Sequence, residues 1–414
     1  MKAVAVVLFL LGFSEIVLAQ QPDTSVKKKP SVKNDEDHLA PIQKDSVQQV
    51  DAIDYLYKIF KIKDAKEKRS DKKIQFSIFP TQSNASNGRT VIASFNAAFL
   101  LGDKSNTNVS NVYFIPYISF SNQYGFTVKP NIWLSKNSWN FNGEYFWLSY
   151  PQFTWGLGGN SASDNKTLVD YNYLRVSQNV LKGLPYHFAA GIGYSLDYHY
   201  SIYVNENPDS ILIPPLTPPG PYESTTSSGA TFSFVYDDRK NALNPQTAFY
   251  FNSTWRYNTP ALGSDSTWNS LFLDARKYFS FSKSRQSVLA FRSYYWTVLS
   301  RQPPYLDIPS NGWEPANGIA ARGIQQNRYR SNALLYFESE YRFGITRNGL
   351  LGGVVFVNVL APSQFPTQNF IYWRPSAGVG LRLKLNKYSN TNISGDLGFS
   401  KGFVGAYLNI GEVF

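Results

Sequence analysis

From Lys73 onward, apolar and polar residues alternate with a period of two, in short runs. "TAFYFNSTWRYN" (247–258) sets Phe249, Phe251 and Trp255 against Tyr250, Asn252, Thr254 and Arg256. "AGVGLRLKLNK" (377–387) sets Val379, Leu381, Leu383 and Leu385 against Gly378, Gly380, Arg382 and Lys384. Successive side chains of a strand point to opposite faces, so one face of each run suits hydrocarbon and the other water. About sixteen such runs begin near residues 74, 90, 111, 124, 139, 170, 185, 230, 247, 267, 287, 332, 349, 372, 391 and 403. The span 74–414 allows about 21 residues per strand and connection, which fits tilted membrane strands of roughly ten residues. Upstream the period is different. "SVQQVDAIDYLYKIFKIKDAKE" (46–67) places Val50, Ile53, Tyr57 and Phe60 at helical spacing, which predicts a short amphipathic helix. Such a helix could dock in a barrel mouth or on the inner leaflet, or serve as a solvated linker.

A soluble β-sandwich also alternates, so composition has to decide. Aromatic residues make up 16% of the chain, and no segment after the leader holds eighteen consecutive apolar residues. An aromatic-rich chain with a mean hydropathy of −0.30 is reconciled by a β-barrel, whose strands face lipid on one side and a polar lumen on the other. Lys2, the run "AVAVVLFLLGF" and "VLA" before Gln20 read as a secretory signal over 1–19, cut after Ala19. Residues 20–45 are polar and charged, which argues disorder. The expected organisation is a signal peptide (1–19), a periplasmic extension (20–73) and an outer-membrane barrel (74–414).

Charge and candidate chemistry narrow the function. With no cysteine, neither disulfides nor thiolate metal sites arise, and His38, His187 and His199 are not at metal-ligand spacing. No cofactor is expected. The net charge is +11; residues 21–73 hold 13 basic and 10 acidic side chains, leaving +8 for 74–414. No basic helix or zinc-finger spacing points to nucleic acid. No nucleophile motif accompanies the histidines, so an enzyme is not expected. Connections after even-numbered runs are short turns ("SKNS", "TRNG", "NKYSNTN"). Those after odd-numbered runs include "TWGLGGNSASDNKT", the Pro-rich stretch at 205–229 and the stretch containing "IAARGIQQNRYRSN" (319–332). Short periplasmic turns and long external loops are the outer-membrane pattern.

Four stretches, in order along 74–414, resemble the BamA/TamA-type outer-membrane superfamily, the bacterial surface antigen barrels. "ARGIQQNRYR" resembles the Arg-Gly signature of the sixth extracellular loop, and "FVYDDRKNALNPQTAFYF" (234–251) a Tyr-Asp-x-Arg…Asn-Pro turn. "LLYFESEYRF" (334–343) resembles the twelfth strand and "GAYLNIGEVF" (405–414) the last. The resemblance implies a sixteen-stranded antiparallel barrel whose sixth loop folds inward, with Arg322 meeting acids on the lumen wall. Glu340 matches the acid of strand twelve. Period two puts Tyr336, Glu338, Glu340 and Arg342 on one face, so Glu338 shares the lumen and a guanidinium could be gripped in bidentate fashion. Gly323 permits the tight turn beside it. Where strand thirteen of the family usually offers an acid, Asn358 stands; it is expected to accept one hydrogen bond from Arg322, with Glu338 compensating for the charge. Asp237, Asp238, Arg239, Asn244 and Pro245 are expected to form a structural periplasmic turn. Tyr407, Leu408, Ile410 and Phe414 fit a C-terminal strand signal read by the barrel assembly machinery.

The implied function is help with inserting or translocating proteins or lipids among outer-membrane lipids. A periplasmic partner is expected to supply what POTRA domains supply in the family, since only about fifty residues separate the signal from the first run. The alternative is a passive, loop-plugged pore or structural barrel without client handling.

Overall fold

The computed structural model describes residues 49–52, 54, 74–85, 88–103, 105–119, 122–205, 223–282, 287–300, 303–315, 319–365, 367–387 and 390–414. The expected signal (1–19) and disordered stretch (20–45) lie outside the described residues. Sixteen antiparallel strands form one barrel sheet: β1 (Ile74–Ala85), β2 (Gly88–Phe99), β3 (Ser110–Ser119), β4 (Tyr124–Trp133) and β5 (Trp139–Ser149, resumed at Gln152–Thr154). They continue as β6 (Thr167–Gly183), β7 (Phe188–Asn205), β8 (Glu223–Asp237), β9 (Ala248–Asn258), β10 (Trp268–Ser282) and β11 (Ser287–Ser300). The last five are β12 (Ala333–Gly344), β13 (Leu351–Pro362), β14 (Arg374–Asn386), β15 (Thr391–Ser400) and β16 (Phe403–Ile410). Both pieces of β5 pair with β6; Pro151, which has no N–H to give a ladder, stands at the interruption.

Each strand pairs with its neighbours in sequence. The first and last strands behave differently. Among the described residues β1 meets β16 at two pairs, Gln82 with Leu408 and Ser83 with Tyr407, whereas β15 and β16 run together from Ile393–Ile410 to Ser400–Phe403. The ring is therefore barely joined at this seam, and no continuous ladder crosses it.

The alternation read from the sequence is the alternation of the wall. On β14, Val379 and Leu381 are exposed to the membrane side while Arg382 and Lys384 are buried in the lumen. On β13, Val355 and Val357 face out and Val354, Phe356 and Asn358 face in. Strand starts agree with the sequence pattern to within a few residues, except that β8 begins at Glu223 rather than near 230. The Ser/Thr-rich piece "ESTTSSG" resembles a loop by composition, yet it continues the wall: Ser227 is fully buried with its hydroxyl on Asp307 of the connection 301–332, and Ser228, on the opposite face, is fully buried with its hydroxyl on the Leu262 carbonyl in the turn after β9. The Pro-rich connection shrinks accordingly to 206–222. The length asymmetry lies in the middle of the chain, in the connections 155–166, 206–222, 301–332 and 363–373, all after odd-numbered strands. The connections after β1, β3 and β15 are short as well.

Of the expected helix over 46–67, residues 49–52 and 54 are described. Gln49–Asp51 are not helical; Ala52 and Asp54 are. The Asp51 carboxylate accepts the Asp54 N–H at 2.8 Å and the Asp54 carboxylate accepts the Asp51 N–H at 3.3 Å, a reciprocal cap that starts a helix.

The connection lengths set an orientation that can be checked. An epitope inserted within 206–222 is expected to be labelled on intact cells, and one inserted in "TRNG" (346–349) only after the outer membrane is permeabilised. Equal access to both sites would reverse or abolish this orientation.

Candidate functional site

The lumen wall of β12–β15 presents a strip of charge. Tyr336, Glu338, Glu340 and Arg342 of β12 are all buried on its inner face. Pairing places Glu338 beside Asn358 of β13, Asn358 beside Ser376 of β14, and Gly380 of β14 beside Asp396 of β15. The connection 301–332 folds down onto this strip. Ala321 and Gly323 have φ of 53° and 90°, so the chain reverses around Arg322 in a conformation glycine adopts freely. A Cβ on Gly398 of the wall would lie 2.6 Å from the Gly323 nitrogen. Glycine at 398 is what lets the loop backbone approach the wall.

Arg322 is completely buried. Its Nη1 donates to Asp396 Oδ2 at 2.5 Å, and its Nη2 donates to Glu338 Oε1 at 2.5 Å and to Glu340. The guanidinium carbon lies 3.6 Å from the centre of the Phe356 ring. Burial works to lower the Arg322 pKa, but the three carboxylates outweigh it and hold it well above the ordinary guanidinium value. The main-chain oxygen of Arg322 is also gripped, accepting from Asn358 Nδ2 at 3.0 Å and Ser376 Oγ at 2.6 Å.

The network continues toward the periplasmic end. Arg342 Nε meets Glu340 at 2.6 Å and Glu412 at 3.5 Å; Arg382 meets Asp396 at 2.5 Å and Glu412 at 2.7 Å. Burial raises the Glu412 pKa, and Arg382 and Arg342 overcome that and lower it. Charges removed from water persist when each is paired and hydrogen-bonded, and this chain of groups supplies both.

Two expectations at this site are corrected. Asn358 accepts nothing from the guanidinium: it donates to the Arg322 carbonyl and accepts from Ser376 Oγ at 2.7 Å. The missing acid is supplied by Asp396, two strands away, so Arg322 spans three carboxylates instead of gripping one in bidentate fashion. That Asp396 faces the lumen could have been found from the sequence, because in "TNISGDLGFS" it alternates in phase with Ser394 and Gly398 against Leu397 and Phe399; that it reaches Arg322 could not. Arg382 was legible as lumen-facing, but its partner Glu412 lies beyond the last strand, where period two ends.

The final residues also depart from expectation. β16 stops at Ile410; Gly411, with φ of 86°, turns the chain inward. Phe414 therefore does not continue the alternation of Leu408 and Ile410. It is buried in the lumen with Val413 against Ala248, Tyr278, Val288 and Ala290. Its main-chain oxygen accepts from Arg342 at 3.0 Å. Tyr407 joins the arginine site, its hydroxyl accepting the Gly323 N–H at 2.9 Å. In the turn after β8, Arg239 forks onto Asp237 at 2.8 and 2.9 Å. Asp238 accepts the Phe249 N–H at 2.6 Å, and Pro245 and Asn244 are buried.

Further contacts fix the loop higher in the lumen, and sequence reasoning missed them. Arg330 is buried and donates to the carbonyls of Tyr305, Leu306 and Ile308 at 2.8, 2.9 and 3.0 Å. Asp307 accepts from Ser227 Oγ at 2.6 Å; burial and the nearby Asp197 push its carboxyl up to about 7. Trp313 packs against Phe146, Tyr150 and Tyr173. His199 stacks on Tyr173 at 4.0 Å. Among the described residues no group of His, Cys, Asp or Glu is arranged to hold a metal.

A sixteen-stranded transmembrane barrel with the connection after β11 inside the lumen defines a class of outer-membrane protein. Residues 93–388 match the family model described as the Omp85 superfamily domain, and the chain belongs to that superfamily. Its fold is similar to that of BamA from Haemophilus ducreyi lacking POTRA domains 1–3, with a TM-score of 0.54 and 11% identity over 82% of this chain and 70% of that one. It is similar also to CdiB from Acinetobacter baumannii (TM-score 0.53, 12% identity, 82% of this chain and 60% of that one). CdiB from Escherichia coli gives 0.54, 10%, 82% and 62%. The chain thus spans less than two thirds of either CdiB. No curated protein matches it in sequence.

The shared guanidinium makes a specific thermodynamic prediction. Arg322→Ala takes the shared cation from three buried carboxylates, of which Glu340 keeps Arg342 and Asp396 keeps Arg382, and is expected to cost on the order of 3–5 kcal/mol. Glu340→Ala costs less, because Arg322 keeps Glu338 and Asp396. The double variant is expected to fall well short of the sum. Heat-modifiability of the folded barrel in detergent gels measures this; strict additivity rejects direct coupling.

Proposed function

We propose that this protein assists the insertion or translocation of proteins or lipids at the outer membrane of a Gram-negative bacterium, by local opening between β1 and β16. The observation that carries the reading is the two-pair seam. Unpaired backbone groups are costly in hydrocarbon, so a wall that forgoes its ladder at one place has an edge to offer an incoming strand or chain. Arg322 and its carboxylates act as a lock that fixes the loop in the lumen while the seam works. Membership of the Omp85 superfamily supports the same reading at family level. A periplasmic partner delivering clients to the mouth belongs to this proposal, as does recognition of the final strand by the barrel assembly machinery.

The absence of cysteine makes the seam testable. A Gln82→Cys/Leu408→Cys variant, oxidised in cells that depend on the protein, is expected to reproduce the loss of outer-membrane proteins or lipids seen on depletion, and reduction is expected to reverse it. If depletion leaves the outer-membrane inventory unchanged, the passive-barrel alternative holds instead.

Electrical recording separates the readings further. With the loop inside, purified protein in planar bilayers should show small, brief openings, and deleting residues 303–329 should raise conductance several-fold. A large, steady conductance unaffected by the deletion would favour a passive pore.

A further inference from the structure

Residues 49–52 and 54 lie against two turns at the end of the barrel opposite the long loops. The Val50 N–H donates to the carbonyl of Asn348, in the turn between β12 and β13, at 3.1 Å. Lys387, in the turn between β14 and β15, holds the segment as well: its N–H donates to Asp51 Oδ2 at 2.9 Å, its Nζ to Asp54 Oδ2 at 2.6 Å and to the Gln49 carbonyl at 3.4 Å. The Asp51 side belongs to a residue only 3% exposed, and the Lys387 side chain is 15% exposed. The ammonium pairs with Asp54, whose side chain is 23% exposed, so that ion pair is partly screened, and the buried contact is the one from the Lys387 N–H to Asp51.

We propose that the Asn348 and Lys387 turns form a docking surface for this chain's own N-terminal extension, and that docking and the start of the extension's helix are coupled through one carboxylate. Asp51 uses one oxygen to cap the helix at Asp54 and the other to hold Lys387. The first turn of a helix is the unfavourable step, because it fixes several dihedrals for one hydrogen bond. Here the residue that satisfies the free N–H of that turn is itself immobilised by the barrel. The two turns are tied to each other by the Lys384 N–H donating to the Leu350 carbonyl at 2.8 Å. They end the same strands whose lumen faces hold Arg322, so the extension is a strap seated on the wall that carries the lock. This docking stands independently of what the barrel does for clients.

The test uses the full-length protein in native-like membranes and engineered cysteines. Val50→Cys with Asn348→Cys should form a disulfide in high yield under mild oxidation. Adding Lys387→Glu should reduce the yield at least several-fold, and a further Asp54→Lys should restore much of it by exchanging the charges. Heat-modifiability confirms that the barrel of each variant is folded. Hydrogen exchange provides the second readout: Asp51→Ala should remove protection from the Asp54 and Lys387 amides together. Cross-linking unchanged by Lys387→Glu, no cross-link in the folded parent, or loss of protection at only one of the two amides would each overturn the proposal.

Discussion

The structure depends on one buried cation. Arg322 sits fully buried among Glu338, Glu340 and Asp396, and neither side of that arrangement is tolerable alone. Three carboxylates facing one point of the lumen from β12 and β15 repel each other and lose their hydration; a guanidinium in the same place without them would also be buried without a partner charge. Several features follow from that requirement. The connection carrying Arg322 has to be long enough to reach the wall. The backbone has to reverse at Ala321–Gly323 to present the side chain. Gly398 has to lack a side chain where the loop lands. Even the Arg322 carbonyl is committed, to Asn358 and Ser376, which leaves the loop little freedom to leave the wall piecemeal.

The same network bears on the last strand. β16 has a full ladder on one side, to β15, and two pairs on the other. Part of what the missing ladder would contribute comes from inside the lumen. Tyr407 holds Gly323, Glu412 holds Arg342 and Arg382, and Val413 and Phe414 pack among Ala248, Tyr278, Val288 and Ala290. These contacts are perpendicular to the sheet, so they anchor β16 without requiring β1. A strand fixed from within can stay in place while its outer edge is unpaired, which is the condition a working seam needs.

Much of this was legible in the sequence, for a definite reason. Period-two alternation survives because each wall residue must choose between lipid and lumen, and that choice assigned Glu338, Glu340, Arg342, Arg382 and Lys384 to the lumen. The Arg-Gly pair marked the point of the loop that turns. What escaped were partners set by geometry across strands or by chain beyond the strands. Asp396 reaches Arg322 because β12 to β15 curve around the loop, and curvature leaves no local pattern. Phe414 falls in phase with the strand by count, but Gly411 reverses the chain and breaks the count. Ser227 and Ser228 were read as loop since serine clusters usually are; here they are wall, Ser227 bonded to Asp307 on the lumen side and Ser228 covered from outside by the turn after β9.

The periplasmic end shows how these pieces combine. The turn after β8 reaches inward, where Asn244 Nδ2 donates to the Asn390 carbonyl at 3.1 Å. The final residues cross beside it, the Gly411 N–H donating to Asn392 and the Glu412 N–H to Leu243. The extension docks on Lys387 of the same β14–β15 region. Three segments far apart in sequence thus converge on Lys387, Asn390 and Asn392, at the ends of strands that hold Arg322. The lumen is obstructed by the sixth loop from one end and by the β8–β9 turn and final residues from the other. The two obstructions are not independent, because Glu412 belongs to the lower one and shares Arg342 and Arg382 with the carboxylates that hold the upper one. Displacing the loop therefore disturbs the charges that keep the tail in place, and a tail pulled outward takes a carboxylate from beneath the lock.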